Sequence, residues 1–170
     1  MRSYRDVDMN SLNYSPTCKT TPGHRALRHG RYSEQHRLYL LTTVTYRRQQ
    51  FFSDLFTARL VITEMRRVHD EGLIESLAWV LMPDHLHWLF GLTEHADLKK
   101  VMQLVKGRSA HYINERLSRK GKIWDKAYHD HALRKDEDVK RVARYIVANP
   151  LRKRLVKKIV DYPLWDAVWI

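Results

Sequence analysis

The chain of 170 residues contains a single cysteine, Cys18, and no long apolar run. One cysteine excludes an internal disulfide framework and a zinc site built from several cysteines, and it fits a reducing cytoplasm. No apolar stretch approaches the roughly 20 residues that a membrane-spanning helix needs. The first residues show no apolar segment after their charges, so we expect no signal peptide and no membrane partner.

Several catalytic signatures are also missing from the sequence. It has no glycine-rich loop of P-loop spacing, which argues against a nucleotide-hydrolysing domain, and no G-x-S-x-G elbow of an α/β-hydrolase. Its acidic residues form no evident carboxylate cluster for a metal. We find no repeat and no low-complexity tract, and the length fits one domain.

Acidic residues are the minority among the charges. With 31 Lys and Arg against 19 Asp and Glu, the net charge is +12 and the pI is about 10.0. Such a basic domain favours a polyanionic partner, and nucleic acid is the first candidate. A merely solvated basic surface is the alternative.

Residues 1–30 show no sustained hydrophobic period and carry Pro16, Pro22 and two glycines. Arg25 and Arg28 lie towards the end of this segment, and Arg31 follows it directly. We interpret residues 1–30 as a basic arm that could follow a phosphate backbone, with a disordered tail as the alternative. Residues 31–170 are then expected to form the single folded domain.

Hydrophobic periods and turn signals predict the elements of this domain. The prediction is a strand at 37–46, a helix at 54–69, a hairpin of strands at 76–82 and 85–92, a helix at 97–117, a strand at 123–134, and a helix at 136–149 that Pro150 ends. This order, β-α-β-β-α-β, is typical of an α+β, ferredoxin-like antiparallel sheet with helices on one face. The helix at 136–149, which carries Tyr145, is the extra C-terminal helix beyond this pattern.

The segment MPDHLHWLF places His85 and His87 two residues apart in a strand-like run. Alternation puts both imidazoles on one face of the strand and their apolar neighbours on the other. Two imidazoles and one oxygen ligand leave coordination positions open, as a catalytic metal site requires. The alternative is a pair of hydrogen-bonded strand histidines. A second pair flanks Asp130, and we assign Asp130 and His131 to supporting contacts.

The segment RYIVANP places Tyr145 and Asn149 four residues apart in a helix-like run, with Arg141 one turn earlier. Helical spacing aligns a cation, a phenol and an amide on one side. A tyrosine with a pKa near 10 is a poor nucleophile unless a metal-polarised phosphate and nearby cations assist it. The alternative is a tyrosine that only packs.

These segments resemble a known family. WVLMPDHLHWLF is similar to the HUH motif (His, hydrophobic, His) of single-tyrosine transposases. YIVANPLRKRLVKKIVDYPLW resembles the Tyr-Ile-x-x-Asn-Pro segment of REP-associated tyrosine transposases, and YHDHALR is similar to that family's aromatic-x-acidic-His segment. The resemblance covers roughly residues 28–165.

The resemblance implies a metal-dependent endonuclease and strand transferase for single-stranded DNA with hairpin ends of repetitive extragenic palindromes (REPs). It implies Mg²⁺ or Mn²⁺ at His85, His87 and Asn149, with imidazole ligands suiting Mn²⁺ better. Tyr145 would form a 5′-phosphotyrosine link and release a 3′-OH. No small-molecule cofactor is expected, and a monomer is favoured over a dimer.

Two other functions stay open at this point. One is a non-catalytic nucleic-acid binder that stacks bases on Tyr39, Trp79 and Trp88 of the sheet. The other is a phosphodiesterase that uses water, with Tyr145 as a structural residue. Whether the protein is a strand transferase or a non-catalytic nucleic-acid binder, basic side chains would contact phosphates. Our candidates are Arg25, Arg28, Arg31, Lys99, Lys106, Arg141, Arg152 and Lys153.

Overall fold

The computed structural model describes residues 37–134 and 138–169. In chain order the elements are β1 (Leu38–Thr45), α1 (Leu55–Asp70), β2 (Ile74–Met82), β3 (His85–Leu92), α2 (Leu98–Arg116), β4 (Trp124–Ala132), α3 (Val139–Val147), α4 (Asn149–Arg152) and β5 (Trp165–Ala167). Three single turns of 3-10 helix join them, at Tyr46–Arg48, Phe51–Ser53 and Ile159–Asp161. The predicted arm, residues 1–30, lies outside the described residues, so its boundary stays a prediction.

The five strands form one antiparallel sheet in the order β4-β1-β3-β2-β5. The first four strands have the order of a ferredoxin-like sheet, in which β3 lies between β1 and β2. The predicted α+β class is therefore confirmed. The sequence did not predict β5, a strand of three residues that pairs with β2 at the sheet edge.

Both faces of the sheet are covered by helices, and each face has its own helices. Helices α1 and α2 pack on the face that presents Leu41, Leu86 and Trp88, all of them fully buried. Helix α3 packs on the opposite face, against Leu40 and Leu89 among others. The additional helix predicted from the sequence thus lies across the sheet from the other two, which sets its relation to the histidines.

A carboxylate caps the start of each of the three long helices, α1, α2 and α3. Asp54 accepts from the Thr57 amide at 2.9 Å, Asp97 from the Lys100 amide at 2.7 Å, and Asp138 from two amides of α3. Each cap satisfies amides that have no partner within their helix. After α1 the chain turns at Gly72, whose φ of 69° favours glycine.

The end of α3 differs from the prediction. The helix stops at Val147, two residues before the expected end, and Pro150 lies inside the following short helix α4 instead of ending α3. Proline is tolerated in the first turn of a helix because an amide there lacks an intrahelical partner in any case. The helix predicted to run to Asn149 is therefore two helices that meet at Ala148.

None of the described helices combines the length and the apolar character needed to cross a bilayer.

Candidate active site

His85 and His87 lie on one face of β3, as alternation predicted. Their ring centroids are 4.9 Å apart and the rings are perpendicular. The residues between and after them, Leu86 and Trp88, point to the opposite face, where α1 and α2 bury them completely. Both imidazoles are half-buried and share their sheet face with Leu89, which contacts α3.

Each imidazole is fixed through its Nδ1 atom. The Nδ1–H of His85 donates to Oδ1 of Asp84 at 2.5 Å, and Nδ1 of His87 lies 2.8 Å from Oγ1 of Thr42. Thr42 is the direct partner of His87 across the β1–β3 ladder. With both Nδ1 atoms engaged, the Nε2 atoms remain for an external ligand, the arrangement by which proteins orient metal-binding histidines.

Both histidines are held neutral near pH 7. Burial lowers the pKa of His87 to about 3, and the neighbouring His85 and the Arg152 charge act in the same direction. Burial also lowers the pKa of His85, although its hydrogen bond to Asp84 opposes this shift. Since a metal binds the neutral imidazole, protons do not compete with it here.

Tyr145 lies on α3, whose apolar side includes Val142 and Ile146 and faces the sheet on the side of the histidines. The sequence produces this side by placing apolar residues at helical spacing between exposed arginines. The phenol itself is half-buried. The structure thus brings the predicted nucleophile and the predicted metal ligands to the same sheet face.

Arg152, the last residue of α4, contacts residues of both α3 and α4. Its Cζ lies 3.7 Å from the centroid of the Tyr145 ring. One guanidinium nitrogen donates to the Tyr145 carbonyl at 3.0 Å, and the other donates to Oδ1 of Asn149 at 2.7 Å. A planar guanidinium is suited to stack and donate at once. Arg152 therefore fixes the segment that carries the phenol.

Asn149 is almost fully buried and its side chain is already engaged. Its amide nitrogen donates to the Ile146 carbonyl at 2.8 Å, and its oxygen accepts from Arg152. An amide oxygen has two lone pairs, so one of them remains for a metal. The assignment of Asn149 as a ligand stays a prediction.

Positive charge surrounds the histidines. The charge of Arg152 helps to lower the pKa of His87, and the charges of Arg48 and Lys153 help to lower that of His85. Arg48 also lies 3.3 Å from Asp84, the partner of His85. A phosphate at the Nε2 atoms would therefore meet cations from the turn after β1 and from the end of α4.

The residues present fit a divalent ion at an open site. Two neutral imidazoles with oriented Nε2 atoms are available, with an amide oxygen as the third predicted donor. In the described parts of the chain, no group of three or more His, Cys, Asp or Glu side chains is placed to hold a metal ion, so the third donor must be of another kind. An open donor set is what a catalytic ion needs, because substrate oxygens must complete its coordination.

Two other predicted site residues lie across the sheet from the histidines. Lys99 and Lys106 belong to α2, on the opposite sheet face. Nζ of Lys106 donates to the Asp125 carbonyl at 2.6 Å, so its charge joins α2 to β4. Arg141 is exposed on α3. Arg25, Arg28 and Arg31 lie outside the described residues.

The register of β4 separates the two predicted supporting residues. His131 is paired with Leu40 and lies on the histidine face, whereas Asp130 is paired with Leu41 and lies on the face covered by α1 and α2. Directly paired residues of antiparallel strands share a face. The structure thus brings His131, and not Asp130, to the side of the predicted site.

A family model described as "Transposase IS200 like" matches residues 33–149, more than two thirds of the chain. The chain belongs to this family. The resemblance to tyrosine transposases inferred from the two motifs is therefore confirmed, and the match includes His85, His87 and Tyr145.

Two curated relatives match this chain over about half of each sequence. A REP-associated tyrosine transposase of Escherichia coli (strain K12) is 28% identical over 98 residues, which cover 57% of this chain and 56% of the relative. A relative from Haemophilus influenzae is 28% identical over 99 residues, which cover 52% of this chain and 56% of the relative. The chain thus spans a little over half the length of each.

One solved structure extends the comparison over most of the chain. It is a REP-associated tyrosine transposase bound to a REP hairpin, with a TM-score of 0.64 and 25% identity. The superposition covers 81% of this chain and 80% of the other. The chain thus shares its fold with a protein whose structure contains hairpin DNA.

Sequence reasoning missed Thr42, Asp84 and Arg48 at the site. Asp84 lies between the two predicted strands of the hairpin and was assigned no role, although a carboxylate next to a metal-binding histidine is a common orienting partner. Thr42 is 45 residues from His87 along the chain. Only the register of β1 against β3 shows that they meet, and the sequence carries no signal for that register.

Proposed function

We propose that this IS200-like transposase nicks and rejoins single-stranded DNA at REP-type hairpins, with Tyr145 as the nucleophile. A divalent ion at His85 and His87, with Asn149 as a further ligand, would complete the site. The observation that carries the proposal is spatial: the helix bearing Tyr145 covers the sheet face of the two histidines. The relatives and the hairpin-bound neighbour support the same chemistry.

Each group has a defined part in the proposed reaction. The Tyr145 oxygen attacks the scissile phosphorus and forms a 5′-phosphotyrosine. The bond to the 3′-oxygen breaks, and that oxygen leaves with a proton as a 3′-OH. Reversal by another 3′-OH rejoins the strands without an external energy source. When bound, the divalent ion would polarise the phosphate and neutralise its charge.

The protein contributes orientation and positive charge to this reaction. Arg152 holds the phenol by stacking on its ring and bonding to its backbone. Arg48 and Lys153 add cations near the imidazoles, where a transferring phosphate accumulates negative charge. Imidazole ligands favour Mn²⁺ over Mg²⁺, so we expect Mn²⁺ to support the reaction at least as well.

We take the monomer as the working unit. Tyr145, His85 and His87 come from one chain and lie on one face of one sheet. This placement supports a site built from one chain, and we propose the monomer on that ground.

The first test is a change of Tyr145 to phenylalanine. Tyr145→Phe removes only the attacking oxygen and keeps the ring under Arg152, so hairpin binding should stay within about twofold. The covalent protein–DNA adduct should disappear from denaturing gels, and mass spectrometry should no longer find DNA on residue 145. Tyr162→Phe is the matched control: its hydroxyl donates to the Leu81 carbonyl at 2.7 Å, a structural bond.

The outcomes separate the three functions considered from the sequence. An adduct that survives in Tyr145→Phe would contradict the proposed nucleophile. Nicking with no adduct in the unaltered protein would favour the phosphodiesterase that uses water. His85→Ala should abolish cleavage, and cleavage that persists in chelator would contradict the metal site.

The structure weakens the non-catalytic alternative. That function needs Tyr39, Trp79 and Trp88 exposed on the sheet, but Tyr39 is 3% exposed and Trp88 is fully buried. Trp79 is half-buried and packs against the same core. Tyr39 and Trp88 belong to the hydrophobic core and offer no stacking surface to bases.

A further inference from the structure

Three aromatic rings at one end of the sheet each lie against a cation. Arg116 lies 4.9 Å from the centroid of Phe56, and Arg119 lies 4.7 Å from that of Phe51. Arg47 and Lys122 both lie 5.2 Å from the centroid of Tyr46. We call these three rings and four cations the basic aromatic strip.

Two segments distant in sequence build the strip. Residues 46–56 run from the end of β1 into the first turn of α1, and residues 116–122 run from the last residue of α2 towards β4. The Tyr46 amide donates to the Ile123 carbonyl at 2.8 Å, and the guanidinium of Arg116 lies 3.6 Å from Asp54. These contacts hold the two segments side by side, so the rings form one surface.

The strip begins at the candidate active site. At this end of the sheet β1 ends beside the start of β3, where Val44 is paired with His85. The Thr45 amide donates to the Asp84 carbonyl at 2.9 Å, and Arg48 pairs with the Asp84 side chain. A DNA strand that leaves the histidines in this direction would therefore pass Tyr46 first.

The strip is accessible and has a positive excess. Phe56 is 59% exposed at the first turn of α1 and is not part of the buried core. Phe51 and Tyr46 are half-buried, which holds their rings in place. Together with Arg48 the strip has five cations, and two carboxylates pair with them, Asp54 and Asp84. This excess favours an anionic partner.

The backbone at Arg47 and Arg48, beside Tyr46 of the strip, has a disfavoured conformation. Arg47 and Arg48 have φ values of 55° and 56°, the left-handed region in which glycine is the residue of least cost. Two consecutive arginines there turn the chain sharply and place their charges on either side of the turn, towards Tyr46 and towards Asp84.

We propose that the basic aromatic strip binds the single-stranded DNA that flanks the scissile phosphate. Unpaired bases would stack on Tyr46, Phe51 and Phe56, and the phosphates between them would meet the cations. Single strands fit better than duplex because only unpaired bases offer their faces to aromatic rings. The inference rests on the proposed function and adds to it the path of the flanking strand.

The test measures binding and not cleavage. Fluorescence anisotropy would compare a blunt hairpin with hairpins that have a single-stranded extension on either side. Phe56→Ala should weaken binding of one extended hairpin by about fivefold or more, because a stacked base is lost. Arg119→Gln should weaken the same complex and reduce its salt slope by about 0.7. Both variants should bind the blunt hairpin as the unaltered protein does.

Arg66→Gln is the matched control, since it removes an equal charge near the other end of α1. It should leave binding of every hairpin unchanged. Phe56→Leu keeps an apolar side chain without a ring, so it should lose the extension effect even where Phe56→Ala lowers the melting temperature. An unchanged affinity for both extended hairpins in Phe56→Leu and Arg119→Gln would overturn the proposal.

Two other results would overturn parts of the proposal. Equal weakening for blunt and extended hairpins would overturn the assignment to the single strand, and tighter binding of an RNA extension would overturn the assignment to DNA. The assay works in the Tyr145→Phe background, so a failure of the proposed chemistry and a failure of the strip give different results: the first removes the adduct, the second removes the extension effect.

Discussion

Hydrogen bonds to Nδ1 decide which nitrogens of His85 and His87 are available. Asp84 and Thr42 each occupy one Nδ1 atom and so direct Nε2 outward. The two partners differ in kind: a carboxylate raises the basicity of its histidine, whereas a hydroxyl mainly fixes the ring. Both are expected to matter for metal affinity even though neither would touch the ion.

Replacing Thr42 by valine tests the weaker of these two contacts. Thr42→Val keeps the shape of the side chain and the β-branched character suited to a strand, but it removes the bond to His87. Affinity for Mn²⁺ should fall by about 10–100-fold, as is typical for such partners. Isothermal titration calorimetry measures this in the absence of DNA.

Thr63→Val is the control for the change, since Thr63 is an exposed residue of α1 that bonds only to its own helix. An unchanged Mn²⁺ affinity in Thr42→Val would contradict the assigned role of the hydroxyl.

The pKa of His87 gives a stability prediction with a definite sign. Burial lowers that pKa to about 3 from the ordinary 6.5, so the folded protein keeps His87 neutral while the unfolded chain takes up a proton below pH 6.5. The stability contribution is therefore complete above pH 6.5 and is lost as the pH falls towards 3. The loss is at most about 1.4 kcal/mol per pH unit.

Urea denaturation from pH 7 to pH 4, in chelator, measures this loss. His87→Gln has no titrating ring, so the difference between the two proteins should shrink or change sign as the pH falls. A constant difference across that range would contradict the shifted pKa.

Individual residues also show what could be predicted from the sequence. The spacing of His85, His87 and their apolar neighbours was enough to place both imidazoles on one face, because strand alternation is local. The partner Thr42 could not be predicted, because it depends on the register between two strands. Asp84 was visible beside His85, but the direction of a turn side chain is not encoded in local periodicity.

At the scale of elements, the junction of α3 and α4 determines where the phenol lies. Helix α3 ends at Val147, and the chain resumes helical geometry at Asn149. Asn149 accepts from Arg152 and donates back to the end of α3, so one buried amide joins the two helices. The sequence predicted that Pro150 ends the helix. It could not show that α3 already ends at Val147, which leaves Pro150 in the first turn of α4, because that break depends on nonlocal packing.

Removing the Arg152 side chain should loosen this junction. Arg152→Ala leaves Oδ1 of the buried Asn149 without its donor and the Tyr145 carbonyl without one of its bonds. A buried acceptor that loses its partner costs about 1–3 kcal/mol, so the free energy of unfolding should fall by that amount. Urea denaturation at pH 7 provides the measurement.

Lys153→Ala is the neighbouring control, an exposed cation whose loss should change stability by about 0.5 kcal/mol or less. If Arg152→Ala were no less stable than Lys153→Ala, the junction would not depend on the guanidinium.

Short elements were the least predictable. Strand β5 has three residues and pairs with β2 through Ala78, Trp79 and Val80. Three residues are too few to establish a period of two, so the tail after residue 151 carried no strand signal. The longer elements, each with several turns or an alternating run, were predicted close to their observed bounds.

Over the whole molecule, the two sheet faces have separate tasks. One face carries the main core under α1 and α2, and the other carries the histidines beneath α3. Lys99 and Lys106 were predicted to contact phosphates but lie on α2, on the core side. Composition alone predicted a polyanionic partner, yet it could not assign the positive charges to a face.

The distribution of charge leads to a prediction about salt. Seven cations lie at the histidines or on the basic aromatic strip: Arg47, Arg48, Arg116, Arg119, Lys122, Arg152 and Lys153. Each cation that neutralises a phosphate of a single strand releases condensed counterion and contributes about −0.7 to the slope of log K against log salt. For a hairpin with its single-stranded extension, the slope should approach about −5.

Anisotropy titrations from 50 to 300 mM salt would measure that slope, with the blunt hairpin as the comparison. The blunt hairpin should show a shallower dependence because it lacks the strand that meets the strip. Lys99→Gln, a charge removed from the opposite side of the sheet, should leave both slopes unchanged. A slope that falls in Lys99→Gln as much as in Arg119→Gln would mean that binding follows total charge, and that the arrangement of cations around the histidines has no part in it.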